Sequence, residues 1–123
     1  MKPKLDIKNS NYIVKEDASL NEAMEAITYN HRGCVVVVDK DFLVLGVLSD
    51  GDIRRALVKG ATMITPVSKV LNTNFVSVRD DARDTLQNPE RFFEAHANLN
   101  VIPVLGEKNR LADILVRGGP YRE

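Results

Sequence analysis

The apolar residues of the first half change their spacing along the chain, and each change predicts a new element. Tyr12–Val14 is a short strand candidate followed by a polar turn. Ser19 then lies three residues before Glu22, which is the spacing of a capping box at a helix N-terminus. Apolar residues at helical spacing follow and predict an amphipathic helix until about Asn30, namely Leu20, Ala23, Met24 and Ile27.

A valine-rich run follows this helix. Cys34–Val38 is continuous and β-branched, as is typical of a strand covered on both faces. After a polar turn, Leu43–Leu48 predicts the second strand of a hairpin. Ser49–Asp52 then opens a second helix, which runs from Ile53 to about Lys59. The order of elements is therefore strand, helix, strand, strand, helix.

The second half of the chain repeats this order. Phe75–Asp81 matches Asn11–Asp17 at an offset of 64, whereas Val101–Leu105 matches the valine-rich strand at an offset of 67. Three residues are therefore inserted near Pro89, within the first helix expected in the second half. Because proline fits poorly inside a helix, that helix is predicted to be split there. Each unit alone would expose a sheet face, so the two units are expected to pack together.

The predicted fold class is α+β, with two pseudo-twofold-related β-α-β-β-α units packed sheet to sheet. The stretch between the units is short and apolar, so it is interpreted as a packed connection and not as a flexible linker. The predicted organisation is an N-terminal arm (1–10), a first unit (11–60), a connection (61–71), a second unit (72–118) and a C-terminal tail or linker start (119–123).

Charge and cysteine content narrow the classes of function. Seventeen basic residues balance seventeen acidic ones, which argues against a broad nucleic-acid or membrane-surface interface. No apolar run approaches the roughly 20 residues that span a bilayer. Cys34 is the single cysteine, which excludes an intrachain disulfide and suits a reducing compartment. A cytoplasmic location is therefore expected.

The segment Gly46–Asp52 carries the most specific resemblance in the chain. It has a glycine, two apolar residues, a serine, two further residues and an aspartate, and it resembles the signature of CBS motifs. With the repeat, residues 10–118 resemble a tandem CBS pair, or Bateman module. The longer string Leu48–Leu57 is similar to the CBS pairs that precede the catalytic domain of bacterial sugar-phosphate nucleotidyltransferases.

The resemblance implies a regulatory module with no catalytic activity of its own. Such modules sense an adenosine nucleotide such as AMP, ADP or ATP, form homodimers through their helices and control an attached or partner enzyme. Neither a cofactor nor a metal site is expected, because His31 and His96 lack further ligands at metal-binding spacing. Cys34 lacks a basic neighbour in the sequence and is interpreted as a core residue.

The turn at Ser49–Asp52 has two interpretations, which the sequence leaves open. A helix N-terminus attracts phosphate, which Ser49 and either Arg54 or Arg55 can bind. The Asp52 carboxylate suits the two hydroxyls of a ribose. Gly51 lets the backbone approach a ligand closely. Alternatively, Ser49 and Asp52 simply cap the helix and bind nothing.

By resemblance, residues of the other unit complete this pocket. Leu71, Val76 and Leu99 are expected to sandwich a base and Asn100 to bind its edge, although ordinary core packing also explains the apolar positions.

In the second pocket the counterparts of Ser49 and Asp52 are Val116 and Gly119, which lack polar anchors. At most one nucleotide per chain is therefore predicted. The alternative function is a structural dimerisation module with a vestigial nucleotide pocket.

Overall fold

A computed structural model describes residues 10–118 of the chain. The predicted tail, 119–123, and nearly all of the predicted arm lie outside this range. No helix within it is long and apolar enough to cross a bilayer. The elements are β1 (Ile13–Lys15), α1 (Leu20–Asn30), β2 (Cys34–Val38), β3 (Val44–Ser49), α2 (Asp50–Val58), β4 (Val78–Arg79), α3 (Arg83–Gln87), α4 (Pro89–Ala95), β5 (Val101–Leu105) and β6 (Leu111–Val116), with 3-10 turns at Val67–Lys69 and Glu107–Asn109.

The strands form two three-stranded sheets, β1-β2-β3 and β4-β5-β6, with the same topology. In each sheet the first strand is parallel and the last strand antiparallel to the central one. Val14 pairs with Val37, and Val78 pairs with Val104, so the offsets of 64 and 67 are both preserved in the pairing. A register shift after Val37 recurs after Val104. The internal repeat is therefore confirmed at the level of single residue pairs.

The sheets pack face to face, as predicted. Val36 and Val38 of β2 share a buried cluster with Val101 of β5 and Ile114 of β6. The alternate residues of β2 point to the opposite face, where they are buried against the two helices of the first unit. This explains the valine-rich sequence, because a strand that is covered on both faces has no solvent-facing position.

Both helices of the first unit begin with the capping boxes that the sequence predicts. The Ser19 hydroxyl accepts a hydrogen bond from the Glu22 backbone N–H at 3.1 Å, and the Glu22 carboxylate accepts one from the Ser19 backbone N–H at 2.9 Å. Two otherwise unpaired N–H groups at the start of α1 are thereby satisfied.

The second unit differs from the first in its helices. Its first helix is split as predicted, since α3 ends at Gln87 and Pro89 starts α4 as its first helical residue. That position tolerates proline because its N–H would have no partner in the helix. Within residues 10–118 the second unit ends at β6, without a counterpart of α2.

Candidate functional site

The turn between β3 and α2 is held by reciprocal hydrogen bonds. The Ser49 hydroxyl accepts from the Asp52 backbone N–H at 3.0 Å, and Asp52 Oδ2 accepts from the Ser49 backbone N–H at 3.0 Å. The second carboxylate oxygen of Asp52, Oδ1, accepts from Arg55 Nη2 at 2.7 Å. The capping interpretation of these residues is thus confirmed, and the carboxylate is fixed at the helix N-terminus.

Arg55 is the exposed part of this arrangement. Its side chain is 68% exposed, compared with 23% for Asp52. An exposed pair at this helical spacing contributes only about 0.3–0.5 kcal/mol, so a ligand can displace the guanidinium at little cost. Gly51 allows the guanidinium to lie over the turn, because a Cβ at this position would come within 3.3 Å of Arg55 Nη1. Oδ1 of Asp52 is therefore the atom most readily offered to a ligand.

Gly46 brings the connection between the units against β3. Val47 and Asn72 exchange two backbone hydrogen bonds, of 3.0 and 2.8 Å, across this contact. A Cβ on Gly46 would lie 2.5 Å from the carbonyl oxygen of Asn72 and would also collide with the Leu71 side chain. The glycine of the CBS-like signature therefore has a packing role, and it places Leu71 beside the strand that leads to Ser49.

The boundary between the units lies close to the same turn. Asn100 Nδ2 donates to the carbonyl oxygen of Arg32 at 3.1 Å, which links the loops before β5 and β2. Burial is the main reason why the pKa of the Cys34 thiol is raised to about 11; a backbone hydrogen bond from Val101 opposes this shift. The carboxylates of Asp50 and Asp52 raise this pKa further. Cys34 therefore lies close enough to interact with both the turn and the start of β5.

Two of the predicted pocket residues pack in the core of the second unit. Val76 and Leu99 are partly buried against the cluster that contains Val78 and Phe93, between the second sheet and its helices. This agrees with the alternative interpretation of these two residues, which is ordinary core packing. Their role in holding a base stays a prediction, as does the contact of Asn100 with the base edge.

An open groove of about 440 Å³ starts at Asp52 and runs along α2. Of the predicted site residues, Asp52 and Arg55 line it. The groove lies between α2 and the connection, and it is lined by Asp52, Arg55, Ala56, Lys59, Ala61, Thr65, Lys69 and Val70. The turn therefore opens into a space large enough for a small ligand.

Arg117 is a structural residue that the sequence reasoning missed. Its guanidinium donates to the carbonyl oxygens of Phe93 at 3.1 Å, His96 at 2.7 Å and Leu99 at 2.9 Å. It also lies 4.9 Å from the centroid of the Phe93 ring. A cation here satisfies carbonyls at the C-terminus of α4. The only sequence signal is that a basic residue replaces Asp50 at the equivalent position of the repeat.

The second predicted pocket is described only in part. Val116, the counterpart of Ser49, is 8% exposed and packs between the sheets, while Gly119 lies outside the described residues. The absence of a nucleotide there stays a prediction. Within residues 10–118, no group of three or more His, Cys, Asp or Glu side chains is arranged to hold a metal ion.

Comparison with protein families and curated proteins points to CBS domains. Residues 5–59 match the family model of the CBS domain. Arabinose 5-phosphate isomerase GutQ of Salmonella typhi is 37% identical over 65 residues, which cover 53% of this chain. The match covers 20% of the isomerase, so the chain spans about a fifth of the length of this curated relative.

Solved structures share the fold of most of this chain. A putative acetoin utilization protein, AcuB, from Vibrio cholerae superimposes with a TM-score of 0.73 at 24% identity, covering 85% of this chain and 76% of that one. A CBS domain protein of Pyrobaculum aerophilum, complexed with AMP, has a TM-score of 0.65 at 20% identity, covering 85% and 78%. At these identities the likeness establishes the fold alone.

Proposed function

We propose that this chain, which carries a CBS domain in residues 5–59 and has the fold of a CBS pair, is a regulatory module that binds one adenosine nucleotide. The ribose hydroxyls are held by Asp52, and the phosphate lies near Ser49, Gly51 and Arg55. Leu71, Val76, Leu99 and Asn100 surround the base. Binding biases the packing of the units, and this change controls an attached or partner enzyme.

The groove beside Asp52 is the observation that carries this proposal. It places a partly exposed carboxylate, backed by a helix N-terminus, at the mouth of a space of about 440 Å³. The similar protein of Pyrobaculum aerophilum is described as a complex with AMP, which supports an adenosine nucleotide as the ligand. A nucleotide presents both the hydroxyls that a carboxylate binds and the anion that the helix end attracts.

The regulated enzyme and the homodimer are parts of the proposal. A sugar-phosphate nucleotidyltransferase is suggested by the resemblance of Leu48–Leu57, whereas the similarity to GutQ supports a sugar-phosphate isomerase. Tyr29 on α1 is 70% exposed and Val58 on α2 is 86% exposed. These apolar side chains support a dimer contact through the helices. A cytoplasmic location follows for a regulator of such an enzyme.

The complete capping box supports a second candidate function. Every polar atom of the Ser49 and Asp52 side chains already has a partner in the turn, so capping alone explains both residues. In that case the module is a structural dimerisation unit with a vestigial pocket.

Thermal unfolding in the presence of AMP, ADP, ATP or GMP separates these functions. Glu22→Ala is the matched control for Asp52→Ala, because both remove the same position of a capping box and only Asp52 faces the groove. A ligand at 1 mM with a dissociation constant near 10 μM stabilises by about 2.7 kcal/mol.

The regulatory function predicts that adenosine nucleotides stabilise the parent and Glu22→Ala, but not Asp52→Ala. If no nucleotide stabilises any of the three proteins, the structural function is favoured. Equal stabilisation of all three proteins contradicts the assignment of Asp52 to the site.

A further inference from the structure

The groove beside α2 has an excess of positive charge. Arg55, Lys59 and Lys69 line it together with one carboxylate, that of Asp52, in a chain whose net charge is zero. The ion pairs found in residues 10–118 are Arg54–Asp50 and Arg55–Asp52, so Lys59 and Lys69 have no acidic partner in the described structure. Two cations therefore face the same open space without a counter-ion from the protein.

The cations are arranged in a row that starts at the proposed ribose site. Asp52 and Arg55 lie on α2, and Lys59 follows at its C-cap; all three line the groove. Asp52 and Lys59 are seven residues apart, which corresponds to about 10.5 Å along a helix. A phosphate attached to the ribose lies beside Arg55, whereas contact with Lys59 needs a ligand that extends further along α2.

Lys69 approaches the groove from its other side. It is the last residue of the 3-10 turn Val67–Lys69 and lines the space opposite α2. Lys59 at the end of α2 also stabilises the helix dipole, which is the simplest explanation of that residue alone. The dipole of α2 does not explain Lys69, which belongs to a separate 3-10 turn. An anion between the two walls explains both.

The lining of the groove suits a slender ligand. Ala56 and Ala61 contribute small side chains, and the Thr65 hydroxyl accepts from the Thr62 backbone N–H at 2.9 Å, which fixes the wall that carries it. A lining of cations and small residues matches a flexible polyanion better than a second aromatic base.

We infer that the groove takes a phosphate chain, so the preferred ligand is a nucleoside di- or triphosphate and not a monophosphate. This inference rests on the proposed function, because the chain must begin at a ribose on Asp52. Lys59 and Lys69 set this preference: each adds a contact that only the second or third phosphate reaches.

Calorimetric titration of the full chain with AMP, ADP, ATP and inorganic triphosphate tests the inference. The variant Lys59→Gln/Lys69→Gln removes the two cations, and Lys40→Gln/Lys108→Gln removes two exposed lysines outside the groove with the same change in net charge. We expect ATP to bind about tenfold more tightly than AMP, as two exposed charge contacts allow. The groove variant loses this advantage but keeps AMP affinity, and the control variant keeps both. Inorganic triphosphate competes with ATP.

Other results separate the inference from the proposed function. The inference is overturned if AMP and ATP bind with equal affinity, or if the two double variants have equal effects. The proposed function is still upheld in that case if AMP binding depends on Asp52. If no nucleotide binds, both the function and the phosphate-chain ligand are overturned. If inorganic triphosphate still binds the parent and the control variant but not the groove variant, the groove is a site for a free polyanion. If inorganic triphosphate does not bind either, the groove is not an anion site.

Discussion

Replacing Gly46 with alanine tests whether the glycine of the CBS-like signature is a packing requirement. The added Cβ would lie 2.5 Å from the carbonyl oxygen of Asn72, and no side-chain rotation relieves a contact between a Cβ and the backbone. The connection must therefore move away from β3. That movement weakens the two hydrogen bonds between Val47 and Asn72, of 3.0 and 2.8 Å.

The expected loss follows from three terms. Overpacking costs about 1–3 kcal/mol, and two backbone hydrogen bonds contribute about 1 kcal/mol each. Removing a glycine from the unfolded chain offsets about 0.4–1 kcal/mol of this loss. Gly46→Ala should therefore lower the free energy of unfolding by about 2–3 kcal/mol, the net of these terms when part of the hydrogen bonding survives.

Urea unfolding followed by circular dichroism measures this loss. Gly51→Ala is the matched control, because its Cβ would meet the flexible end of Arg55 at 3.3 Å and it lies within α2. Alanine there should leave stability unchanged or raise it by up to about 1 kcal/mol. Gly46 has no packing role if Gly46→Ala is as stable as the parent, or if both substitutions have the same effect.

Further predictions concern the helix caps, Arg117 and the buried thiol. Asp52→Ala and Glu22→Ala should each lower the free energy of unfolding by about 1 kcal/mol in urea titrations, and parent-like stability of either would contradict the capping geometry. Arg117→Gln should lower the free energy of unfolding by about 2–3 kcal/mol through the lost carbonyl contacts. Arg117→Lys should restore only part of this, because an ammonium lacks the forked N–H groups of a guanidinium, and full rescue would show that charge alone matters. The Cys34 thiol should resist a thiol reagent at pH 8 until the protein unfolds, and rapid labelling of folded protein would contradict its burial. Because its pKa is raised from 9.0 to about 11, only the unfolded chain loses the proton in this range, so stability should fall as the pH rises from 9 to 11.

The repeat and the helix starts were readable from the sequence because they depend on local spacing. A capping box needs two residues three positions apart, and both Ser19–Glu22 and Ser49–Asp52 form one. The two offsets of the repeat predicted the pairing of Val14 with Val37 and its counterpart. The split at Pro89 follows from the missing backbone N–H of proline.

Long-range features could not be read in this way. Arg117 reaches carbonyls at and after the end of α4, 18 to 24 residues before it, and no local pattern links a residue after a strand to the end of an earlier helix. The groove was also missed, because Lys59 and Lys69 come together only when the connection folds back along α2. The sequence instead directed attention to Val76 and Leu99, which the structure packs in the core of the second unit.

In the proposed site the Asp52 carboxylate holds the two hydroxyls of a ribose. Calorimetric titration with ATP and its 2′,3′-dideoxy analogue tests this directly, since the two ligands differ only in those hydroxyls. Hydrogen bonds to a charged group contribute about 1.5–3 kcal/mol each, so the analogue should bind the parent at least about tenfold more weakly. The two ligands should bind Asp52→Ala alike. Equal affinity of ATP and its analogue for the parent would contradict the claim.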